Sequence, residues 1–382
     1  MDFELPGDDD PRRLAVRSWL AEHPNPTGRQ LADAGYVAPH WPRPYGLDAD
    51  PIRQLVIDDE LRRAGVSRPI NPIGIGWAGP TLLHAGTPEQ QARYLPKLLS
   101  GEELWCQLFS EPEAGSDLAS LRTRAARDGD EWVVNGQKIW TSLAHLARFG
   151  ILIARTDPAT AGHPHPGATK QEGITYFICP MNQPGIEIRP IVEMTGIHTF
   201  NEVFLTDVRI PAENVVGEVN RGWGLAKVTL GNERVSLSSG GALWGRGPTA
   251  ADLLERARKA GAATAGHPHP GADPIMRQRL AQLHVEATVL DLIRLRTVTA
   301  RIKGEPPGPE ASIRKILADE HGQHIMGLAK DIAGASGMLG QAGGDEWHYG
   351  FLFSPALTVG GGTGEVQRNI VAERVLGLPH DQ

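Results

Sequence analysis

The side chains able to do chemistry fall into three groups, and two of them lead nowhere. Cys106 and Cys179 are the only cysteines, too few for a disulfide framework, and no Cys/His spacing matches a structural zinc site. The decapeptide ATAGHPHPGA occurs twice, at 159–168 and 263–272. Its His-Pro-His pairs could offer imidazoles to a metal, but proline on both sides and the lack of a nearby carboxylate or cysteine argue against that. Both copies read as solvent-exposed insertions, and no metal is expected. The third group is scattered. Phe109 and Ser110 precede the polar turn EPEAGSD, which contains Ser116; Trp140 and Ser142 close EWVVNGQKIWTS; Glu233 sits beside Arg234 in LGNERVSLSSGG. Taken singly these are bland, since a lone aromatic is usually core and a Glu-Arg pair is usually a helix surface.

The elements that must position them come in three blocks. The first hundred residues carry helix starts at Asp10 before Pro11, at Asp50 before Pro51, and at Thr87 before Pro88, where Gln90 completes a capping box. Leu55, Val56 and Leu61 follow the second start, and Tyr94, Leu95, Leu98 and Leu99 the third, so these faces must pack on something. From about Trp105 to Val216 the period changes. Asn135-Gly136 between apolar flanks predicts a hairpin turn, and GILIAR, ITYFIC, IEIRPI and NEVFLTDVRI have the β-branched and aromatic content of strands. After Gly222 helical spacing returns. Met276, Leu280, Leu283, Ala287 and Leu290 repeat at fours and threes behind an Asp273-Pro274 start; Ile313, Leu317, Ile325, Leu328 and Ile332 predict another helix; a last one opens at Thr363 and stops at Gly377. The expected fold class is α+β, with an N-terminal helical domain (1–104), a middle β domain (105–217) and a C-terminal helical bundle (218–382).

With 382 residues, 40% hydrophobic and 22% charged, the chain can bury one large core or two to three smaller ones. A net charge of -7 provides no general attraction to nucleic acid or anionic lipid. The acidic amino end lacks the apolar run of a signal peptide, and no stretch reaches the length of a membrane span. A cytoplasmic, reducing location is the expectation.

The segment CQLFSEPEAGSDLASLRTRA followed by DGDEWVVNGQKIWTS resembles the central signature of the acyl-CoA dehydrogenase family. PHWPRPYG, NEVFLTDVRIP and GGTGEVQRNIVAERVLGLP extend the resemblance over nearly the whole chain, in order. It implies a helical domain, a β domain and a four-helix bundle, with FAD as cofactor. It also gives the scattered residues roles. Phe109, Ser110, Trp140 and Ser142 match positions around the flavin; in the family an aromatic at Trp140 covers the ring and a hydroxyl at Ser142 donates to its reactive edge. Thr363 and Glu365 fall on cofactor-contacting positions of the closing motif. Ser116 matches a contact to the CoA part of the substrate, and Arg234 and Gly361 are expected to bind the substrate as well.

Two departures from the family pattern carry information. The commonest branch has its catalytic glutamate at the position of Gly361, where this chain has none. LGNERVSLSSGG matches the branch with the base on the first long helix of the last domain, so the resemblance implies that Glu233 replaces it. The α-proton of a thioester is a very weak acid, so such a base needs a dry pocket that raises its basicity. The carbonyl also needs donors, one expected from the main chain around Gly361. The implied reaction is α,β-dehydrogenation of an acyl-CoA, with electrons passed to an electron-transfer flavoprotein. The second departure is at the cofactor's far end. Homotetrameric members carry Arg-x-x-Phe-Gly and a glutamine that reach a neighbour's FAD; here the insert TAGHPHPGADP and the stretch DIAGASGMLG stand instead. This implies a hetero-oligomer with a paralogous subunit, as in a two-gene branch known from steroid side-chain breakdown, with a homo-oligomer as the alternative. The acyl group stays open. A flavin monooxygenase on the same fold and a non-catalytic partner subunit are the competing readings. Retention of Glu233 argues against the first, and loss of Arg-x-x-Phe-Gly against the second.

Overall fold

The computed structural model describes residues 6–157, 169–237, 242–244, 246–263, 273–302, 308–339 and 345–379. Apart from Ala263, both copies of the repeated decapeptide lie outside the described residues. The chain divides into two compact units, one made of Met1–Glu193 with Ile197–Asn232, the other of Met194–Gly196 with Glu233–Gln382.

In the first unit five helices come before the sheet: α1 (Pro11–Glu22), α2 (Gly28–Asp33), α3 (Pro51–Arg63), α4 (Gly79–Ala85) and α5 (Pro88–Ser100). The starts of α1, α3 and α5 are where the sequence puts them; α2 and α4 were not expected. Asp10 and Asp50 cap α1 and α3 through main-chain N–H groups, and Thr87 and Gln90 form the reciprocal capping box of α5, each satisfying donors that a helix start leaves free. Tyr94, Leu95, Leu98 and Leu99 are buried.

The strands are β1 (Trp105–Leu108), β2 (Arg124–Asp128), β3 (Glu131–Ser142), β4 (Phe149–Arg155), β5 (Ile174–Pro180), β6 (Ile186–Pro190), β7 (Phe200–Pro211) and β8 (Val215–Val216). They form one sheet in the order β6-β7-β3-β2-β4-β5-β8, with β1 pairing to β4. Every residue of β4 is buried, and Cys106, Leu108, Trp132, Val134, Leu152, Phe177, Cys179, Val203 and Ile210 share one core cluster. Both cysteines are free thiols inside it.

The hairpin expected at Asn135-Gly136 is not there. β3 runs straight through that dipeptide, and the turn lies earlier, between Asp128 and Glu131, where Gly129 takes φ 59°. Asn135 instead reaches across to β7: its amide donates to the Asp207 carboxylate (3.0 Å) and its oxygen accepts the Asp207 N–H (2.9 Å). The β3–β7 register shifts between Val134 and Gly136, which marks a bulge. Gly136 is needed for close approach, because a Cβ there would stand 2.4 Å from Thr123 Oγ1. Asn-Gly thus satisfied bulge geometry rather than a turn.

The division between units falls within α6 (Gly222–Leu237). The second unit continues with α7 (Ala250–Ala263), α8 (Pro274–Ile302), α9 (Glu310–Ala333), α10 (Glu346–Phe353) and α11 (Gly364–Ile370). On α9, Ile325 and Leu328 are buried together with Met326 and Ala329. Leu283 is the buried member of the α8 stripe, while Val285, Val289 and Leu292 face solvent. Thr363 caps α11 by accepting the Val366 N–H, and Gly377 ends the last helical stretch with φ 69°.

Candidate active site

In the first unit, two hydrogen bonds stitch the segment around Phe109 to β3. The Ser110 carbonyl accepts the Ile139 N–H (2.9 Å), and the Phe109 carbonyl accepts from Lys138 Nζ (3.0 Å). Lys138 is fully buried and also pairs with Glu111 (2.8 Å). Glu111 in turn accepts the N–H groups of Arg122 (2.6 Å) and Thr123 (2.9 Å). The chain at Phe109–Ser110 is therefore held against Lys138–Ile139, which precede Trp140 on β3, in part through a buried ion pair that sequence reasoning missed. The Phe109 side chain is itself buried at 2% exposure, edge-on to Tyr176 at 6.0 Å. What Phe109 and Ser110 present at this seam is their main chain. Ser116 is exposed.

Trp140 contrasts with its surroundings. The residue is 58% exposed, its ring meets Phe200 edge-on at 6.0 Å, and its backbone takes φ 59°. A bulky residue in the left-handed region costs about 1–3 kcal/mol and persists only where the surroundings enforce it. They do so here: Thr141 next to it is wholly buried, and its carbonyl accepts from Asn201 Nδ2 (3.0 Å). Ser142, half-buried, pairs with Phe200 in the ladder. The buried oxygens Thr141 Oγ1 and Asn201 Oδ1 make no hydrogen bond.

α6 is anchored by hydroxyls. Thr229 meets Thr81 of α4 (2.9 Å) and Tyr176 of β5 (3.0 Å), all three side chains being fully inaccessible. One turn along α6 comes Glu233.

In the second unit, Glu233 is buried at 7% exposure, which removes the surface-residue reading. Burial pushes the neighbouring Arg234 guanidinium below its ordinary value, Glu233 pulls it back, and Arg374 adds to the downward push. Gly361 and Gly362 take φ 70° and 92°, which glycine adopts without strain. Thr363 follows as the α11 cap, and Glu365 in the first turn is exposed, its carboxyl held low by its own N–H and by Thr363. Gln367, which the sequence did not single out, is buried behind the glycines and donates to their carbonyls. Among the described residues, no cluster of three His, Cys, Asp or Glu side chains could hold a metal ion, and no helix is long and apolar enough to cross a membrane.

Three family models match the chain in order: the N-terminal domain (11–102), the middle domain (106–208) and the C-terminal domain (220–376) of acyl-CoA dehydrogenase. Acyl-CoA dehydrogenase FadE34 of Mycobacterium tuberculosis is 45% identical over 91% of this chain, which spans 45% of that relative's length. Among solved structures, the ChsE4-ChsE5 complex from Mycobacterium tuberculosis superposes with a TM-score of 0.79 at 32% identity, covering 100% of both chains. The steroid ACAD Tcur3481-Tcur3483 gives 0.77 at 29% identity, again covering 100% of both. The chain belongs to the acyl-CoA dehydrogenase family, with that family's helical, sheet and helical arrangement, and is an enzyme of that class.

Proposed function

We propose that this protein removes hydrogen from the α and β carbons of an acyl-CoA thioester, with Glu233 as the base and FAD as the cofactor. The observation that carries the reading is the burial of Glu233 on α6 in a chain whose alternative base position, Gly361, has no side chain. A carboxylate out of bulk water can accept a carbon-bound proton without solvent competing for it. The residues present fit a flavin. Trp140 offers an exposed aromatic face held in a strained backbone, as a flat ring system needs, and Ser142 brings a hydroxyl two residues on. Phe109 and Ser110 line the same seam, and Thr363 and Glu365 are assigned to the cofactor at the start of α11.

FAD, when bound, supplies the acceptor for the β-hydride. The chain's own residues do the rest. Glu233 takes the α-proton, main-chain N–H groups of the turn at Gly361 hold the thioester oxygen as negative charge develops on it, and Arg234 and Ser116 contact the substrate. The product is the trans-2-enoyl-CoA, and the electrons leave to an electron-transfer flavoprotein. The relatedness to a steroid ACAD favours a steroid-linked acyl group, testable by comparing kcat/KM on steroid-linked and straight-chain thioesters.

The working enzyme is a hetero-oligomer with a paralogous chain. The solved ChsE4-ChsE5 relative is a complex of two named components. In this chain the arginines nearest the lost motif are Arg277 and Arg279, a turn into α8, and Arg279 is paired to Asp331 (2.6 Å). Purified alone the chain should be poor in FAD, and co-expressed with its paralogue it should hold one flavin for every two chains. A homotetramer with four tightly bound FAD and full activity would overturn this. The base assignment is tested by transposition. Glu233→Gly should abolish turnover, and adding Gly361→Glu should restore part of it with a changed chain-length preference. A double variant as inactive as Glu233→Gly would leave the shared α-carbon unsupported.

A further inference from the structure

The glycine turn before α11 is held from both sides, and the two holds differ. Upstream, α9 grips the segment that leads into it: Lys315 Nζ donates to the Leu357 carbonyl (3.2 Å), and Gln323 Nε2 donates to the Ser354 carbonyl (3.1 Å) and Thr358 Oγ1 (3.3 Å). Downstream the turn is held by Gln367. Its Nε2 donates to the carbonyl of Gly361 (3.1 Å) and lies 3.4 Å from that of Gly362. The side chain is 1% exposed.

The amide's orientation is dictated by its partners. A carbonyl can only accept, so the nitrogen must face the turn and Oε1 must face away. Oε1 then has no partner, and a buried acceptor left unmade costs about 1–3 kcal/mol. The fit also depends on glycine, because a Cβ on Gly362 would stand 2.5 Å from Nε2.

The direction of the N–H groups follows. A trans peptide puts its C=O and N–H on opposite sides. Drawing the Gly361 and Gly362 carbonyls toward Gln367 therefore turns the N–H groups of Gly362 and Thr363 away from it. We propose that Gln367 is a positioning residue for the thioester carbonyl: by gripping these two carbonyls it fixes the main-chain N–H groups of the turn as preorganised donors to the substrate oxygen. The inference rests on the dehydrogenase reading above. Donors that are already aimed cost no reorganisation when charge develops on that oxygen.

The test uses the FAD-loaded assembly and a chromophoric cinnamoyl-CoA, whose absorption moves to the red when its thioester carbonyl is polarised. Wild type should show the red shift. Gln367→Met, similar in length but without a donor, should lose at least about half of it, with kcat down by roughly 10- to 100-fold and KM changed by less than about 3-fold. Gln367→Glu supplies a second readout that a purely structural role would not move. As a carboxylate it cannot donate, and as a protonated acid it can, so its red shift should recover as pH falls while the wild-type shift stays constant. If Gln367→Met does not fold, the pH series on Gln367→Glu decides alone. An undiminished shift and kcat in Gln367→Met, or a Gln367→Glu shift that ignores pH, overturns the proposal. Absence of any red shift in wild type overturns it too, while leaving the role of Glu233 to be judged by its own substitution. Turnover surviving in Glu233→Gln, with the Gln367 effects intact, would sink the base assignment instead.

Discussion

Each unit of this molecule buries a lysine completely, and the two lysines are treated differently. In the sheet unit, Lys138 pairs with Glu111 at 2.8 Å, and Glu111 also accepts two main-chain N–H groups, from Arg122 and Thr123. Burial pushes that carboxyl up, but Lys138 and the N–H donors outweigh it, and it stays below its ordinary value. Burial likewise pushes the Lys138 ammonium down, with Glu111 acting against it. In the helical unit, Lys315 pairs with Asp319 at 2.5 Å and with the Leu357 carbonyl. Asp319 accepts no main-chain N–H among the described residues. There burial wins over Lys315, and the carboxyl is pushed up to about 6. The distances are alike, so it is the additional donors that decide whether a buried pair stays ionised. The sheet unit fixes a permanent charge pair under the Phe109–Ser110 seam, whereas the helical unit keeps a titratable one.

Breaking the sheet pair should have the largest effect. Lys138→Met leaves Glu111 buried and ionised without its partner, so urea unfolding should show a loss of about 3–5 kcal/mol. Adding Glu111→Gln should recover part of it. A loss under about 1 kcal/mol would mean that the N–H donors alone suffice.

The helical pair should give less, and its effect should depend on pH. In Lys315→Met, Asp319 can escape by taking a proton, so a loss of about 1–3 kcal/mol is expected near neutral pH, shrinking in acid. The sign follows from the raised carboxyl. A group whose folded pKa lies above its ordinary 3.8 contributes stability that is complete below 3.8 and is lost as pH rises through about 6. Wild type should therefore lose part of its urea stability across that window, and Asp319→Asn should flatten that part of the profile. A slope unchanged by Asp319→Asn would contradict the assignment.

Two glycines sharpen the picture of β3. Gly136→Ala drives a Cβ against Thr123 and should cost about 1–3 kcal/mol. Gly129→Ala meets no atom within 4 Å and should cost only about 1 kcal/mol, for its positive φ. The reverse order of melting temperatures would favour a turn at Gly136. The smallest effect belongs to a cap outside the sheet: Thr87→Ala should lower stability by about 1 kcal/mol.

These residues also show where sequence reasoning reached and where it stopped. Helix starts were legible because a cap is local: Asp10, Asp50 and Thr87 act on N–H groups two or three residues away. Strands were legible from composition. The hairpin was misplaced because Asn135-Gly136 has the same local preferences in a turn and in a bulge, and what decides is Asp207, 72 residues on. Trp140 and Glu233 could be singled out only because motif resemblance supplied what spacing could not. Gln367, Lys138 and Glu111 lie in the same motifs, but the resemblance gave them no role. A glutamine in a helix and a lysine in a polar-looking strand read as surface until tertiary packing buries them.

The central claim is that Glu233 is the base. Its most direct test is anaerobic mixing of the FAD-loaded assembly with saturating acyl-CoA, following the loss of flavin absorbance in wild type and in Glu233→Gln. The amide cannot accept the α-proton, so Glu233→Gln should keep its flavin content and melting temperature while bleaching slows by about 100- to 10,000-fold. Bleaching at close to the wild-type rate in that variant would contradict the account.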